Sequence, residues 1–71
     1  MTPAQCRAAR AIARITQEEL AQEALLSARA LQKFEAEETR PHRTSVASLR
    51  AALEKRGVEF QESGWVREHT S

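Results

Sequence analysis

Arg29, Gln32 and Lys33 sit in a segment where Leu31 and Phe34 recur at helical spacing. At about 100° per residue these three side chains, with Ala36, point away from Leu31 and Phe34. A face of this kind can read nucleic acid. Arginine and lysine donate to guanine O6 and N7, glutamine pairs bidentately with adenine, and Ala28 near the start of the helix can touch a thymine methyl. The same residues would equally form the solvated side of an ordinary amphipathic helix, so the surrounding elements decide between the two. Other chemistry finds no candidates. Cys6 lies on an apolar stripe without a histidine beside it and reads as a small buried hydrophobe rather than a nucleophile. His42 and His69 have no cysteine or carboxylate at ligand spacing, so no metal site is expected. Glu18 and Glu19 form no acid–base pair: Glu19 has a capping role, and Glu18 is a solvated first-turn carboxylate that suits the helix dipole.

The elements that must position the polar face are short. The chain has 71 residues, enough for one domain and too few for separate substrate and cofactor lobes. Its apolar residues include thirteen alanines, leaving fifteen Leu, Ile, Val, Phe, Met and Trp to build a core, and oligomerisation would support so small a domain. A single cysteine excludes an internal disulfide. With no basic-then-apolar run at the start and no apolar stretch able to span a membrane, the expectation is a soluble protein of the cytoplasm, associated with the nucleoid. A net charge of +1 gives slight global attraction to nucleic acid, so the placement of charge matters more than its sum.

Thr2, Pro3 and Gln5 form a capping box that opens a helix over roughly 3–14, with Cys6, Ala9, Ala13 and Ile12 on its apolar stripe and Arg7, Arg10 and Arg14 around the rest. Thr16 and Glu19 form a second box, for a helix over roughly 17–24. The pattern breaks at Leu25 and Leu26 and restarts behind Ser27, giving a third helix over roughly 28–36. The stretch from Glu37 to Thr44, with Pro41, reads as a loop ending in Thr44 or Ser45 as the next N-cap. Helix four follows over roughly 45–56, with Val46, Leu49, Ala52 and Leu53 inward and Gly57 as terminator. Val58 and Phe60 alternate with Glu59, and Ser63–Gly64 precede Trp65 and Val66, so a short hairpin closes the chain and residues 68–71 fray.

Two short helices with a tight break between Ala24 and Ser27, and small Ala21 where the pair meets, satisfy what a helix-turn-helix requires. The segment ITQEELAQEALLSARALQKFEAEETRP resembles the lambda-repressor-like, or xenobiotic-response-element, family of helix-turn-helix regulators, and the likeness extends over roughly residues 3–57. It implies a mainly α, four-helix DNA-binding domain over 1–57 followed by the strand or hairpin tail of 58–71. It also implies that Gln17 bonds a backbone phosphate from a helix N-terminus, where free N–H groups and the helix dipole favour an anion. Ser27 and the run Arg40, Arg43 and Thr44 would add phosphate contacts. Arg10 and Glu35 occupy positions that pair in the family, as an exposed contact or as a partly buried tie between helices one and three.

Family members carry glycine where this chain has Arg14, Leu25 and Glu37, so strained or altered turns are expected there. From Ser27 to Arg43 four Arg or Lys stand against three Glu, a local balance of +1. The reading is a sequence-specific, double-stranded-DNA-binding regulator, acting as a repressor by occupancy and needing no cofactor. It would work as a homodimer whose interface is formed by Val58, Phe60, Trp65 and Val66, unless these residues patch the core instead. The competing reading keeps the scaffold as a protein-interaction module, an antirepressor or antitoxin-like component with a regulatory protein partner. Near-neutral charge, Glu37 and Glu38, and the apolar tail favour it.

Overall fold

A computed structural model of the chain describes residues 1–40, 42–61 and 63–68. It is mainly helical: α1 (Pro3–Ala13), α2 (Gln17–Glu23), α3 (Ala28–Glu35) and α4 (Arg43–Lys55) precede a two-stranded antiparallel sheet of β1 (Val58–Phe60) and β2 (Val66–Glu68). The expected fraying of 69–71 lies outside the described residues, as do His69 and Pro41, whereas Glu68 belongs to β2 and pairs with Val58.

Three of the four helix starts follow from hydroxyl chemistry. Thr2 Oγ1 accepts from the Gln5 amide at 3.1 Å while Gln5 Oε1 accepts from the Thr2 amide at 2.7 Å. Thr16 and Glu19 make the same reciprocal pair at 3.1 Å each way, and Ser27 Oγ accepts from the Ala30 amide at 3.1 Å. Each side chain satisfies an amide that the first helical turn leaves without a partner. Helix α4 departs from expectation. Its N-cap is His42, with no side-chain cap, and the His42 carbonyl accepts from Val46 at 3.1 Å. Thr44 and Ser45 therefore lie inside the first turn, where a helical backbone no longer lets their hydroxyls act as caps.

Three turns are left-handed without glycine, at the positions where strain was expected: Arg14, Leu25 and Glu37 have φ of 56°, 60° and 62°. A Cβ in that region costs about 1–2 kcal/mol. Gly57 ends α4 at φ +90° with open space where a Cβ would stand, so backbone conformation and not crowding calls for glycine there.

Cys6 and Ala9 of α1, Leu20 and Ala21 of α2, Leu31 and Phe34 of α3, and Leu49 and Leu53 of α4 meet in one core, joined by Ile15 and Val58. The hairpin packs on α1 and α4. Val58 is only 2% exposed, and Phe60 and Val66 are half-buried against the same cluster. This corrects the expected interface: β1 turns its apolar side inward, so Val58 belongs to the core, and of the four residues only Trp65, at 74%, stands free in solvent. Gln5 Nε2 donates to the Gly64 carbonyl at 2.7 Å, Arg67 pairs with Glu59 across the strands at 3.3 Å, and the Arg50 guanidinium lies 5.1 Å from the Phe60 ring centre. Arg56 pairs with Glu23, joining the ends of α4 and α2.

Candidate nucleic-acid interface

The left-handed Leu25 lets α2 end and α3 begin within a few residues, and Leu26 N donates back to the Ala21 carbonyl at 2.8 Å, closing the turn. Helix α3 then sinks Leu31 and Phe34 into the core, 0% and 4% exposed. That phase brings Arg29 and Gln32 to the surface together, with Lys33 half-buried beside them. Ala28 is half-buried and packs on the core, so it presents only part of its methyl at the helix start. Arg40, Arg43 and Thr44 are exposed between α3 and the first turn of α4. Among the described residues, the side chains of Arg29, Lys33, Arg40 and Arg43 make no hydrogen bond or ion pair. Ser27 is exposed, and its oxygen serves the α3 cap while its hydroxyl hydrogen remains a donor.

Gln17 and Glu35 belong to a single network beneath this surface. Arg10 grips the Glu35 carboxylate with both prongs of its fork, Nε to Oε2 at 2.7 Å and Nη2 to Oε1 at 2.8 Å. Gln17 Nε2 donates to Oε1 at 2.9 Å and the Cys6 thiol to Oε2 at 3.3 Å. Four donors thus meet the four lone-pair directions of one carboxylate whose side chain is 3% exposed. Arg7 donates to the Glu35 backbone carbonyl, and Arg10 Nη1 reaches the Ile15 carbonyl at 3.3 Å. The pair is therefore a partly buried tie and not a surface contact. Because α1, α2 and α3 each supply a member, it fixes where the N-terminus of α2 stands relative to the end of α3. Gln17 keeps one amide hydrogen beyond the one that Glu35 takes.

Charge balance in the network has definite signs. Burial alone would raise the Glu35 pKa, but the bonds from Arg10, Gln17 and Cys6 outweigh it and hold the carboxyl below its ordinary range. The bond to Glu35 raises Arg10 in turn. Burial, and then the bond to the neighbouring carboxylate, push the Cys6 thiol up to about 12, so it is a protonated donor at neutral pH. Sequence reasoning missed the Cys6 and Arg7 bonds. Cys6 and Arg10 share a face of α1 at i and i+4, whereas Arg7 stands about 100° round the helix from Cys6, and neither missed bond to Glu35 left a local signal in the sequence.

No protein-family model matches the chain, and no curated protein matches it. Among the described residues no helix is long and apolar enough to cross a membrane.

Proposed function

We propose that the protein is a sequence-specific DNA-binding transcriptional regulator in which α2, the Leu25 turn and α3 act as a helix-turn-helix. The observation that carries this reading is the set of polar groups on α3 without partners: Arg29 and Gln32 exposed, Lys33 beside them, all opposite the buried Leu31 and Phe34. In the major groove these three side chains contact base edges, with Ala28 against a thymine methyl, while Gln17, Ser27, Arg40, Arg43 and Thr44 hold the phosphates. Occupancy of the site represses. Two copies, joined through the hairpin and the exposed Trp65, place two α3 helices about 34 Å apart in successive grooves.

Selection of bound sequences from random DNA tests the reading directly, and an unenriched pool defeats it. Once a site is known, Arg29→Ala or Lys33→Ala should weaken specific binding by about 1–3 kcal/mol without lowering thermal stability. With Arg40 and Arg43 as the phosphate-bound cations of each protomer, a dimer engages four. The logarithm of affinity should then fall with the logarithm of salt at a slope of about −3.6, roughly a hundredfold loss between about 50 and 200 mM. A second reading, a module that binds another protein, draws on the exposed Trp65 and on Glu37 and Glu38 beside the phosphate-binding loop. Its binding would be nearly flat over the same salt range.

A further inference from the structure

The hairpin leaves one strand edge open. Gln61 N donates to the Trp65 carbonyl at 2.9 Å and Gly64 N to the Gln61 carbonyl at 3.0 Å, so Gln61 turns its backbone groups toward β2. Along antiparallel strands this orientation alternates. Glu59 and Arg67 therefore exchange backbone bonds, while the N–H and C=O of Val66 and Glu68 point away from β1. Among the described residues nothing else bonds those groups. The sheet rests on α1 and α4, and the edge of β1 lies beside α4, with Arg50 over Phe60. Helix α1 does not obstruct the edge of β2: Gln5 turns toward the hairpin, and Ala8, three residues on, is exposed with Ala4 and Ala11, a flank of methyl groups. Val66 packs on the core, so its neighbours Trp65 and Arg67 stand on the outer face, 74% and 58% exposed. Unpaired amides beside a bare indole are a template for another strand.

We propose that β2 pairs antiparallel with β2 of a second copy, Val66 opposite the partner's Val66, so that each Trp65 stacks on the partner's Arg67. Charge selects this register. With the inner faces of both sheets on one side, a two-fold axis within β2 falls on Val66, Arg67 or Glu68. Centring on Arg67 sets two guanidiniums opposite each other and centring on Glu68 two carboxylates, and like charges directly opposite destabilise a pair of strands. Centring on Trp65 turns the Val66 carbonyl to the partner's Gly64, whose N–H is already given to Gln61. Centring on Val66 makes two N–H···O bonds at the axis, and Glu68 N reaches the partner's Gly64 carbonyl. Trp65 then lies across from the partner's Arg67 in a pair without backbone bonds, where side chains approach most closely and a cation can rest on the indole face. The result is a four-stranded sheet in the order β1–β2–β2–β1. The pairing stands on the strand edge alone; that it sets the separation of two α3 helices on an operator rests on the DNA-binding reading.

The test is sedimentation of the full chain without DNA, from low micromolar to sub-millimolar concentration, with the emission of Trp65, the only tryptophan, recorded alongside. The expected result is a reversible monomer–dimer equilibrium in which emission shifts to the blue as dimer forms. Trp65→Ala should weaken association by about tenfold or more. Val66→Pro removes the central N–H, which β1 does not use, and should weaken association likewise with the circular dichroism unchanged. Disulfides read the register, since Cys6 is fully buried and stays out of the exchange. In an equimolar mixture, Trp65→Cys chains should cross-link to Arg67→Cys chains in preference to their own kind, because that pair alone keeps one Trp65–Arg67 stack. A monomer throughout the range, association untouched by Trp65→Ala, or self-linked chains in preference to the mixed pair overturns the proposal. A dimer that selects no DNA leaves the strand pairing standing and defeats the DNA-binding reading. A monomer that selects DNA does the reverse.

Discussion

Replacing Glu35 by glutamine keeps the shape of the side chain and removes its charge, which isolates the role of the buried network. The carboxylate accepts four bonds, two at each oxygen. A glutamine offers one oxygen with two lone pairs, and its amide nitrogen only donates, so two of the four donors meet an N–H instead of an acceptor. A hydrogen bond to a charged group contributes about 1.5–3 kcal/mol, and Arg10 is left facing a neutral amide. Because the Arg10 side chain is 22% exposed, water recovers part of its solvation. The expected loss is therefore about 3–4 kcal/mol, a large share of the roughly 4–11 kcal/mol that 71 residues ordinarily provide. Urea unfolding followed by circular dichroism measures it. The double variant R10M/E35L removes both charges and should lie closer to the original than either single change, because no buried ion is then left alone. A loss below about 1 kcal/mol for Glu35→Gln, or a double variant worse than both singles, would refute the idea that the network bears on stability.

Acid should expose the same group. The folded Glu35 pKa lies below its unfolded value, so its stabilising effect is complete above the ordinary carboxylate range, about 4.3, and disappears as pH falls through the folded pKa; the urea midpoint should drop from pH 7 to pH 3 more in the parent chain than in Glu35→Gln. Leu25 is 92% exposed at φ 60°, so Leu25→Gly sacrifices no burial and should raise the melting temperature by a few degrees, the relieved backbone cost of about 1–2 kcal/mol exceeding the added freedom of the unfolded chain, whereas Leu25→Ala should be near neutral. Cys6, fully buried and protonated at neutral pH, should resist a thiol reagent at a rate set by global opening of the fold, and fast labelling of the native protein would contradict the Cys6–Glu35 bond.

The helix starts were readable where a hydroxyl stood three residues before its amide, as at Thr2, Thr16 and Ser27, because the cap is a local bond between near neighbours. At α4 the rule pointed to Thr44 or Ser45, but the chain enters the helix at His42 through its backbone carbonyl, a donor-independent start that no side chain advertises. The hairpin was visible in the alternation at 58–60, yet alternation says which residues share a side and not which side meets the core; Val58 goes inward because α1 and α4 offer it a surface. The three left-handed turns were anticipated only through the resemblance, which puts glycine where this chain has Arg14, Leu25 and Glu37. The polar face of α3 came from helical phase. The Arg10–Glu35 pair below it was expected only through the resemblance, and the bonds from Gln17 and Cys6 were not foreseen, since Cys6 and Glu35 are 29 residues apart and periodicity is blind to contacts at that range.

Gln5 carries a consequence of its own. One end of its amide accepts from the Thr2 backbone and the other donates to the Gly64 carbonyl, so the first turn of α1 and the bend of the hairpin share a single side chain. Fraying of the helix start releases the bend, and detachment of the hairpin frees the amide that seals the helix. The first turn of α1 and the bend of the hairpin therefore open together, and their backbone amides should exchange with solvent deuterium at matched rates. Gln5→Ala should accelerate both and leave the exchange of α3 unchanged, separating the motion of these two segments from the part of the molecule that holds Arg29 and Lys33.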